Sequence, residues 1–514
     1  MLVIAYDIGT TGIKTCLYEI EKGTPITMIG EDKAGYDLYV LDNGGIEQDP
    51  LQGWEAMCKT TENLLEETGT KPEEIKGISF CAQMQAVVLV DKEANPVRRA
   101  MSYMDNRSAE QMKKGIQHGT TIAGMNAKLL VKSLKITGAV SGSVKDPVWK
   151  YRWVADNEPE VFAKTYKWLD VKDFLVAKAT GRFTMSRDSA FGTLLYDTRP
   201  GKDCFSKFLC DKFNVNMDHL PEIVSSTHEV GGINAKAASE LGLKEGTPVF
   251  SGGGDASLIG LGAGAVNPGD THIYMGTSGW VSTIVDKQKL DVGSMIASIV
   301  GVQEGSFNCF AELETAGKCM EWARKNIVHG MAESYEEITQ MTRKVPAGSN
   351  GLMFAPWMHG NRCPFEDPNA RGMFIGIGLE TTTAEMYRAI VEGVCMHIRW
   401  QMDEMRKLTE PSENIRFAGG VALSDENCQI LAEIPGLTVA VVENPVDTGA
   451  AGAAALAATG LGEIPDVSEI KKMVLIDRVF SPIEANKVVY DKAYSVFRGM
   501  YKNNKTHFKR MADL

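Results

Sequence analysis

Asp255 is the residue around which a chemical reading of this chain gathers. It closes the segment Pro248-Val249-Phe250-Ser251-Gly252-Gly253-Gly254-Asp255, an apolar run followed by three glycines. One carboxylate, held where small residues let backbone approach closely, suits the acceptance of a hydroxyl proton. Shortly after it comes a second apolar stretch, 273–275, ending in Gly276-Thr277-Ser278-Gly279. Glycines there free backbone N–H groups to turn toward an anion, and two hydroxyls add donors. A carboxylate for a hydroxyl and a cradle for phosphate together suggest phosphoryl transfer to an alcohol. A glycine-rich structural turn after a buried strand is the alternative for either half alone.

The N-terminus repeats the second pattern. An apolar run, 2–6, leads into Asp7-Ile8-Gly9-Thr10-Thr11-Gly12-Ile13-Lys14, and 15–18 resumes strand character. Strand, Gly/Thr turn and strand make a hairpin whose turn can wrap a phosphate. Asp7 offers a hard oxygen for Mg²⁺, directly or through water; the alternative is a hairpin with an Asp-anchored turn. Two such turns in two halves hint at a duplicated fold.

Polar residues interrupt apolar runs at Gln83-Met84-Gln85, between expected strands at 78–82 and 87–90. Gln83 and Gln85 either line a polar pocket or follow ordinary strand alternation. Asp105 and Arg107 stand before an expected helix and either grip hydroxyls or make a local salt bridge or cap. Trp149, Trp153, Phe162, Tyr166 and Trp168 read as core or domain-surface aromatics, and Asp188 carries no assigned role.

The elements that position these residues follow from their spacing. Asp49 caps and Pro50 opens a helix that Gly69 ends. A short helix is expected at 235–241 and a strand at 352–357, before the turn-rich charged loop 360–372, a lid, an interface or plain surface. Apolar spacing from Met386 to Met402 marks a long helix toward Lys407, with Thr383 as its cap. A strand then ends at Gly419-Gly420, and Ser424 or Asp425 opens a helix. A flat Gly-Gly surface admits an adenine ring with Asn427 near its edge; a tight strand–helix turn is the alternative. The strand 438–442 precedes an Ala/Gly helix from Thr448, bare enough to pack closely on a turn or ligand. The basic tail 502–510 is expected to be a solvated end.

The chain has 514 residues, 44% hydrophobic and 23% charged, which fits a globular protein of at least two domains. The net charge of −12 argues against a nucleic-acid partner. The ten cysteines form no C-x-x-C or zinc-like spacing and read as reduced thiols of a cytoplasmic protein. No basic leader and no membrane-spanning apolar run is present, so no membrane partner is expected. P-loop, H-E-x-x-H and G-x-S-x-G signatures are absent.

Together these motifs resemble, in order and over nearly the whole chain, the FGGY family of carbohydrate kinases. Asp7 to Gly12 is similar to that family's first phosphate motif, Gly252 to Asp255 to its catalytic-Asp motif, Gly276 to Gly279 to its second phosphate motif, and Gly419-Gly420 with Asn427 to its adenosine motif. The stretches 372–392 and 162–173 resemble its two signatures. The resemblance implies an α/β fold of two actin/hexokinase-like (ribonuclease H-like) domains facing across a cleft: 1–247 for sugar and 248–514 for nucleotide. It implies ATP and Mg²⁺ as cofactors, a sugar or polyol as partner, and a homodimer. Asp255 would be the catalytic base and Asp7 the metal residue. Thr10, Thr11, Lys14, Gly276, Thr277, Ser278, Gly419, Gly420 and Asn427 would bind ATP. Gln83, Met84, Gln85, Asp105, Arg107 and Asp255 would bind the substrate.

Within the family the chain looks most like xylulokinases, which implies phosphorylation of a primary hydroxyl of a ketopentose such as D-xylulose. Departures fall in the pocket. The motif Gln-Met-His-Gly reads Gln83-Met84-Gln85-Ala86 here, and Ala256 follows Asp255 where a polar residue often stands. These open the alternatives of glycerol, erythritol, ribulose, gluconate or a signalling ketose. A non-catalytic actin-like ATP-binding protein and a nucleotide-dependent chaperone are the readings from another class, and intact Asp7 and Asp255 argue against the former.

Overall fold

Buried alternation makes the N-terminal segments strands. Leu2–Ile8 (β1) and Gly12–Glu19 (β2) pair antiparallel with Asp7 opposite Lys14. Thr27–Gly35 (β3) extends the hairpin. The helix Pro50–Thr68 (α1) starts where expected: Asp49 accepts from Leu51 N, and Gly69 ends it in the left-handed region. Ile75–Ala82 (β4) then lies parallel to β1. The computed structural model describes residues 1–122, 124–332 and 334–512.

The chain divides into two units. One comprises Met1–Gly262, Ile299–Ser306 and Gly449–Met473; the other comprises Ala263–Ser298, Phe307–Thr448 and Val474–Leu514. The first is built on a seven-stranded sheet. Glu229–Gly232 (β5), Pro248–Phe250 (β6) and Gly253–Gly254 (β7) complete it in the order β5-β6-β4-β1-β2-β3, with β7 also paired to β4. Two helices carry residues of the candidate site at their starts: Val171–Thr180 (α2), capped by Asp170, and Asp255–Gly262 (α3). Tyr6, Phe80, Leu64 and Phe174 fill the core between sheet and helices.

The second unit holds an eight-stranded sheet. Its strands are Thr271–Met275 (β8), Gly279–Val285 (β9), Leu290–Asp291 (β10), Ile296–Val300 (β11), Phe307–Leu313 (β12), Asn414–Ala418 (β13), Thr438–Val442 (β14) and Ile476–Phe480 (β15). They run in the order β10-β11-β12-β9-β8-β13-β14-β15. Within each sheet one run of directions recurs. In β3-β2-β1-β4-β6 and in β12-β9-β8-β13-β14 the first two pairings are antiparallel and the last two parallel. This is the duplication that the two Gly/Thr turns suggested. Gly317–Asn326 (α4), Thr383–Met405 (α5) and Asp425–Glu433 (α6) cover this sheet, and Trp357, Phe417 and Phe497 lie in its core.

One local expectation differs. The cap of α5 is Thr382, one residue earlier than Thr383, because Thr382 and Glu385 bond each other's backbone N–H groups in a capping box. The segment Val88–Val90 runs antiparallel to Lys167–Leu169, and Val90 also bridges Pro96 across the expected turn at 91–96. The basic tail belongs to the helix Glu484–Met511; its Lys502, Lys505, Lys509 and Arg510 are exposed as expected, and Phe508 among them is buried. All ten cysteines are free thiols. Among the described residues, no helix is long and apolar enough to cross a membrane.

Candidate active site

Register brings the acidic residues of the first unit to one place. Asp7, near the end of β1, lies beside Cys81 of β4, and Gly253 of β7 lies on the other side of Cys81. Asp255 follows directly as the first residue of α3, its Oδ1 accepting from Ala256 N at 2.7 Å. Burial pushes the Cys81 thiol well above its ordinary range, and the charges of Asp7, Asp255 and Asp188 push it further. The thiol therefore stays protonated and donates its hydrogen to Asp7. The glycine before β7 is obligatory: Gly252 has φ of +67°, and a Cβ there would lie 2.1 Å from the Phe80 carbonyl oxygen.

The bare helix Thr448–Gly460 packs as its composition suggested. A Cβ on Gly449 would lie 2.9 Å from Cys81 Sγ and 3.2 Å from Asp7 Oδ2. The N-terminal turn of that helix thus rests on the Asp7 carboxylate, where the positive end of the helix dipole favours an ionised group.

The first Gly/Thr turn is tied down largely through its carbonyls. Gly9 N donates to Gly12 O at 2.9 Å, Tyr36 Oη to Gly9 O at 2.5 Å and Gln48 Nε2 to Thr10 O at 2.6 Å. Thr10 Oγ1 lies 3.5 Å from Tyr103 Oη, and Thr11 is exposed. Lys14 sits on β2 opposite Asp7.

The candidate substrate residues separate into two groups. Gln83 Nε2 donates to Gln48 Oε1 at 3.0 Å, so Gln83 connects through Gln48 to the Thr10 turn. Gln83 Oε1 is buried without a hydrogen-bond partner, an acceptor left for something else. Gln85 is not a strand residue at all: its φ is +68°. Asp105 and Arg107, by contrast, are engaged with each other. Arg107 Nη2 donates to Asp105 Oδ2 and to Glu47 Oε1, both at 2.8 Å, Ile46 N donates to Asp105 at 2.9 Å, and the guanidinium stacks on Trp153. The local ion pair open for these two residues is present, and Trp153 stacks on it.

Sequence reasoning missed Asp188, Asp170 and Lys150. Asp188, 1% exposed, accepts from Gly254 N at 2.6 Å and from Ser186 Oγ. It fixes the strand that delivers Asp255. Asp170 and Lys150 bond the backbone of the Gln85 turn. Asp188 was named without a role and Asp170 lies in the stretch 162–173, but neither these carboxylates nor a Lys inside a helix carries a signal of burial in sequence.

The second unit contains a cavity of about 590 Å³. Gly276 and Thr277 of the β8–β9 turn line it, with the start of α4, the Gly420–Leu423 turn, Ser424 and Asn427. Its apolar wall comes from Met275, Met320, Val421, Leu423 and Tyr387. Backbone welds its parts together: Gly317 N donates to Gly276 O at 2.8 Å, and Gly419, at φ +97°, would place a Cβ 2.5 Å from Met275 O. Ser424 caps α6 by accepting from Asn427 N. Ser278 contributes its carbonyl to the turn, accepting from Gly276 N at 3.0 Å. An apolar slot with a polar rim of this size accommodates a base and ribose.

Comparison with known proteins finds similarity over most of the chain. The profile described as "FGGY family of carbohydrate kinases, N-terminal domain" matches residues 2–262, and its C-terminal counterpart matches 272–461. A xylulose kinase of Staphylococcus epidermidis is 29% identical over 505 residues, covering 98% of this chain and 97% of that protein. A gluconokinase of Bacillus subtilis is 25% identical over 534 residues, covering 99% and 98%. A crystal structure of ligand-bound xylulose kinase from Lactobacillus acidophilus superposes with a TM-score of 0.87 at 24% identity, covering 99% of each chain.

Proposed function

The chain belongs to the FGGY family of carbohydrate kinases, and on that premise we propose that it transfers the γ-phosphoryl group of ATP to a primary hydroxyl of a ketopentose, D-xylulose first among them. The observation that carries this reading is the placement of Asp255 at the head of α3, with β4 between it and Asp7 and both carboxylates acting on the Cys81 thiol.

In this mechanism Asp255 orients the acceptor hydroxyl and takes its proton. The hydroxyl oxygen forms the new bond to phosphorus while the bond to the bridging oxygen of ADP breaks, so the products are the sugar phosphate and ADP. Such catalysis is chiefly positioning and charge stabilisation. The Thr10–Thr11 turn with Lys14, like the turn of Gly276, Thr277 and Ser278, offers donors suited to phosphate oxygens. Gly419, Gly420 and Asn427 border the slot for the adenosine. Gln83 Oε1, buried without a partner, offers an acceptor to a sugar hydroxyl, and Gln85 and Met84 flank it in sequence.

Asp7 fits a Mg²⁺ ion: it is a hard oxygen donor, half-buried, beside the N-terminus of the helix Thr448–Gly460. When bound, the ion would neutralise charge on the β- and γ-phosphates. Cytoplasmic location and a homodimer complete the reading.

ADP release with MgATP tests it across D-xylulose, D-ribulose, glycerol, erythritol and D-gluconate. Highest kcat/KM with D-xylulose supports the reading. D-gluconate is the second reading, favoured by the gluconokinase similarity, and its winning would reassign the acceptor. No sugar-dependent ADP release from any acceptor would contradict both.

A further inference from the structure

The turn that carries Gln85 adopts a conformation its own residue type disfavours. A φ of +68° at a residue with a side chain costs free energy and persists only when the surroundings enforce it. Two buried side chains do so. Asp170 Oδ2 accepts from Gln85 N at 2.8 Å and its Oδ1 accepts from Ala86 N at 3.1 Å and from Val171 N at 2.8 Å. Lys150 Nζ donates to Gln85 O at 2.7 Å and to Ser102 O at 2.9 Å. One anion therefore takes both N–H groups flanking the strained residue, and one cation takes its carbonyl.

Neither residue is needed there for bulk. Lys150 is 0% exposed and Asp170 4%. Burying two charges is expensive, and an apolar pair of similar volume serves packing at least as well. Burial pushes the Asp170 carboxyl up to about 7 and the Lys150 ammonium down to about 8, which registers that expense. The charges are accounted for by what they hold. The Ser102 carbonyl that Lys150 reaches also accepts from Asp105 N at 3.1 Å. Lys150 thus straps segment 83–86 to segment 102–105.

The far end of the strapped residue is unengaged. Among the described residues, nothing hydrogen-bonds the Gln85 amide, and the half-buried side chain passes beside Gly192, whose Cβ would lie 3.6 Å from Gln85 Cγ. A residue whose backbone turn is gripped on both sides while its amide is left open is arranged to present that amide.

We propose that Asp170 and Lys150 are positioning residues for acceptor selection, clamping the Gln85 turn so that the Gln85 amide meets the sugar hydroxyls in one fixed orientation. This rests on the reading of Gln85 as a sugar contact. It places the control of specificity partly in two side chains that do not touch the substrate.

The test measures KM for D-xylulose and for ATP, with D-gluconate as acceptor in parallel, in Gln85→Ala, Asp170→Asn, Lys150→Met and the Gln85→Ala/Asp170→Asn double variant. Asp170→Asn turns an amide N–H toward a backbone N–H; Lys150→Met removes both donors at similar length. Each should raise the sugar KM about tenfold to a hundredfold, as misplacement of a positioned contact does, with the ATP KM unchanged. The double variant should be no worse than Gln85→Ala alone, because Asp170 acts through Gln85. A raised sugar KM in Gln85→Ala with unchanged sugar KM in both Asp170→Asn and Lys150→Met overturns the positioning role and leaves Gln85 as a contact. An unchanged sugar KM in Gln85→Ala overturns the underlying contact and the proposal with it. Equal rises in sugar and ATP KM overturn the proposal in favour of a merely structural role. If Asp170→Asn does not fold, Lys150→Met decides alone.

Discussion

The Gly254 N–H donates to Asp188 Oδ2 at 2.6 Å, one peptide before Asp255. A buried carboxylate on one short helix thus sets the path of the backbone that delivers the candidate base. Removing it by Asp188→Ala leaves a buried N–H unpaired, at about 1–3 kcal/mol. Stability of the variant in urea should fall by that amount, and kcat with it. Asp188→Asn keeps an acceptor oxygen and should keep most of the stability. Equal stability of Asp188→Ala and wild type would show that this contact does not hold the strand.

Gly449 marks how closely the Ala/Gly helix approaches Asp7. A methyl group there meets Cys81 Sγ at 2.9 Å and Asp7 Oδ2 at 3.2 Å, so Gly449→Ala must displace the thiol that bonds Asp7, and it crowds the carboxylate itself. Disturbing what orients a metal ligand typically weakens metal affinity about 10–100-fold. The Mg²⁺ concentration for half-maximal rate should rise accordingly while the sugar KM holds. An unchanged Mg²⁺ dependence would remove Asp7 from the metal site.

Two buried histidines give the second unit an acid-sensitive core. Burial lowers His397 to about 4 and His272 to about 3. His397 Nδ1 accepts from Trp357 Nε1 at 3.1 Å, and its Nε2 bonds Cys363 O at 2.7 Å. Both histidines bind fewer protons folded than unfolded. Stability is therefore complete above the ordinary histidine value of 6.5 and declines as pH falls below it, by about 1.4 kcal/mol per unit per histidine. For His397 the decline ends near 4, and for His272 near 3. His397→Gln can keep both hydrogen bonds and should flatten the fall between pH 6.5 and 4 in urea titrations. Parallel pH profiles for the two proteins would contradict this.

The local elements were legible because their signals are local. Asp49, Pro50 and Gly69 set the bounds of α1, and Thr438–Val442 and Ala235–Leu241 follow from composition alone. The glycine triplet before Asp255 read correctly as a close approach, since a Cβ on Gly252 would lie 2.1 Å from the Phe80 carbonyl oxygen. What stayed hidden depends on partners distant in sequence. The positive φ of Gln85 comes from Asp170 and Lys150, which lie 85 and 65 positions away. Asp188 reaches Gly254 across 66 positions. Asp105 and Arg107 were ambiguous because the carboxylate that completes their ion pair, Glu47, belongs to an earlier strand.

The central claim is that Asp255 takes the acceptor's proton, and Asp255→Asn tests it most directly. Amide for carboxylate preserves shape and the bond from Ala256 N but cannot accept the proton. Sugar-dependent kcat with MgATP should fall about 10²–10⁴-fold, the usual span for a general base, while the Kd for ATP stays at the wild-type value. Turnover near that of the wild type would contradict the role of Asp255 and the account built on it.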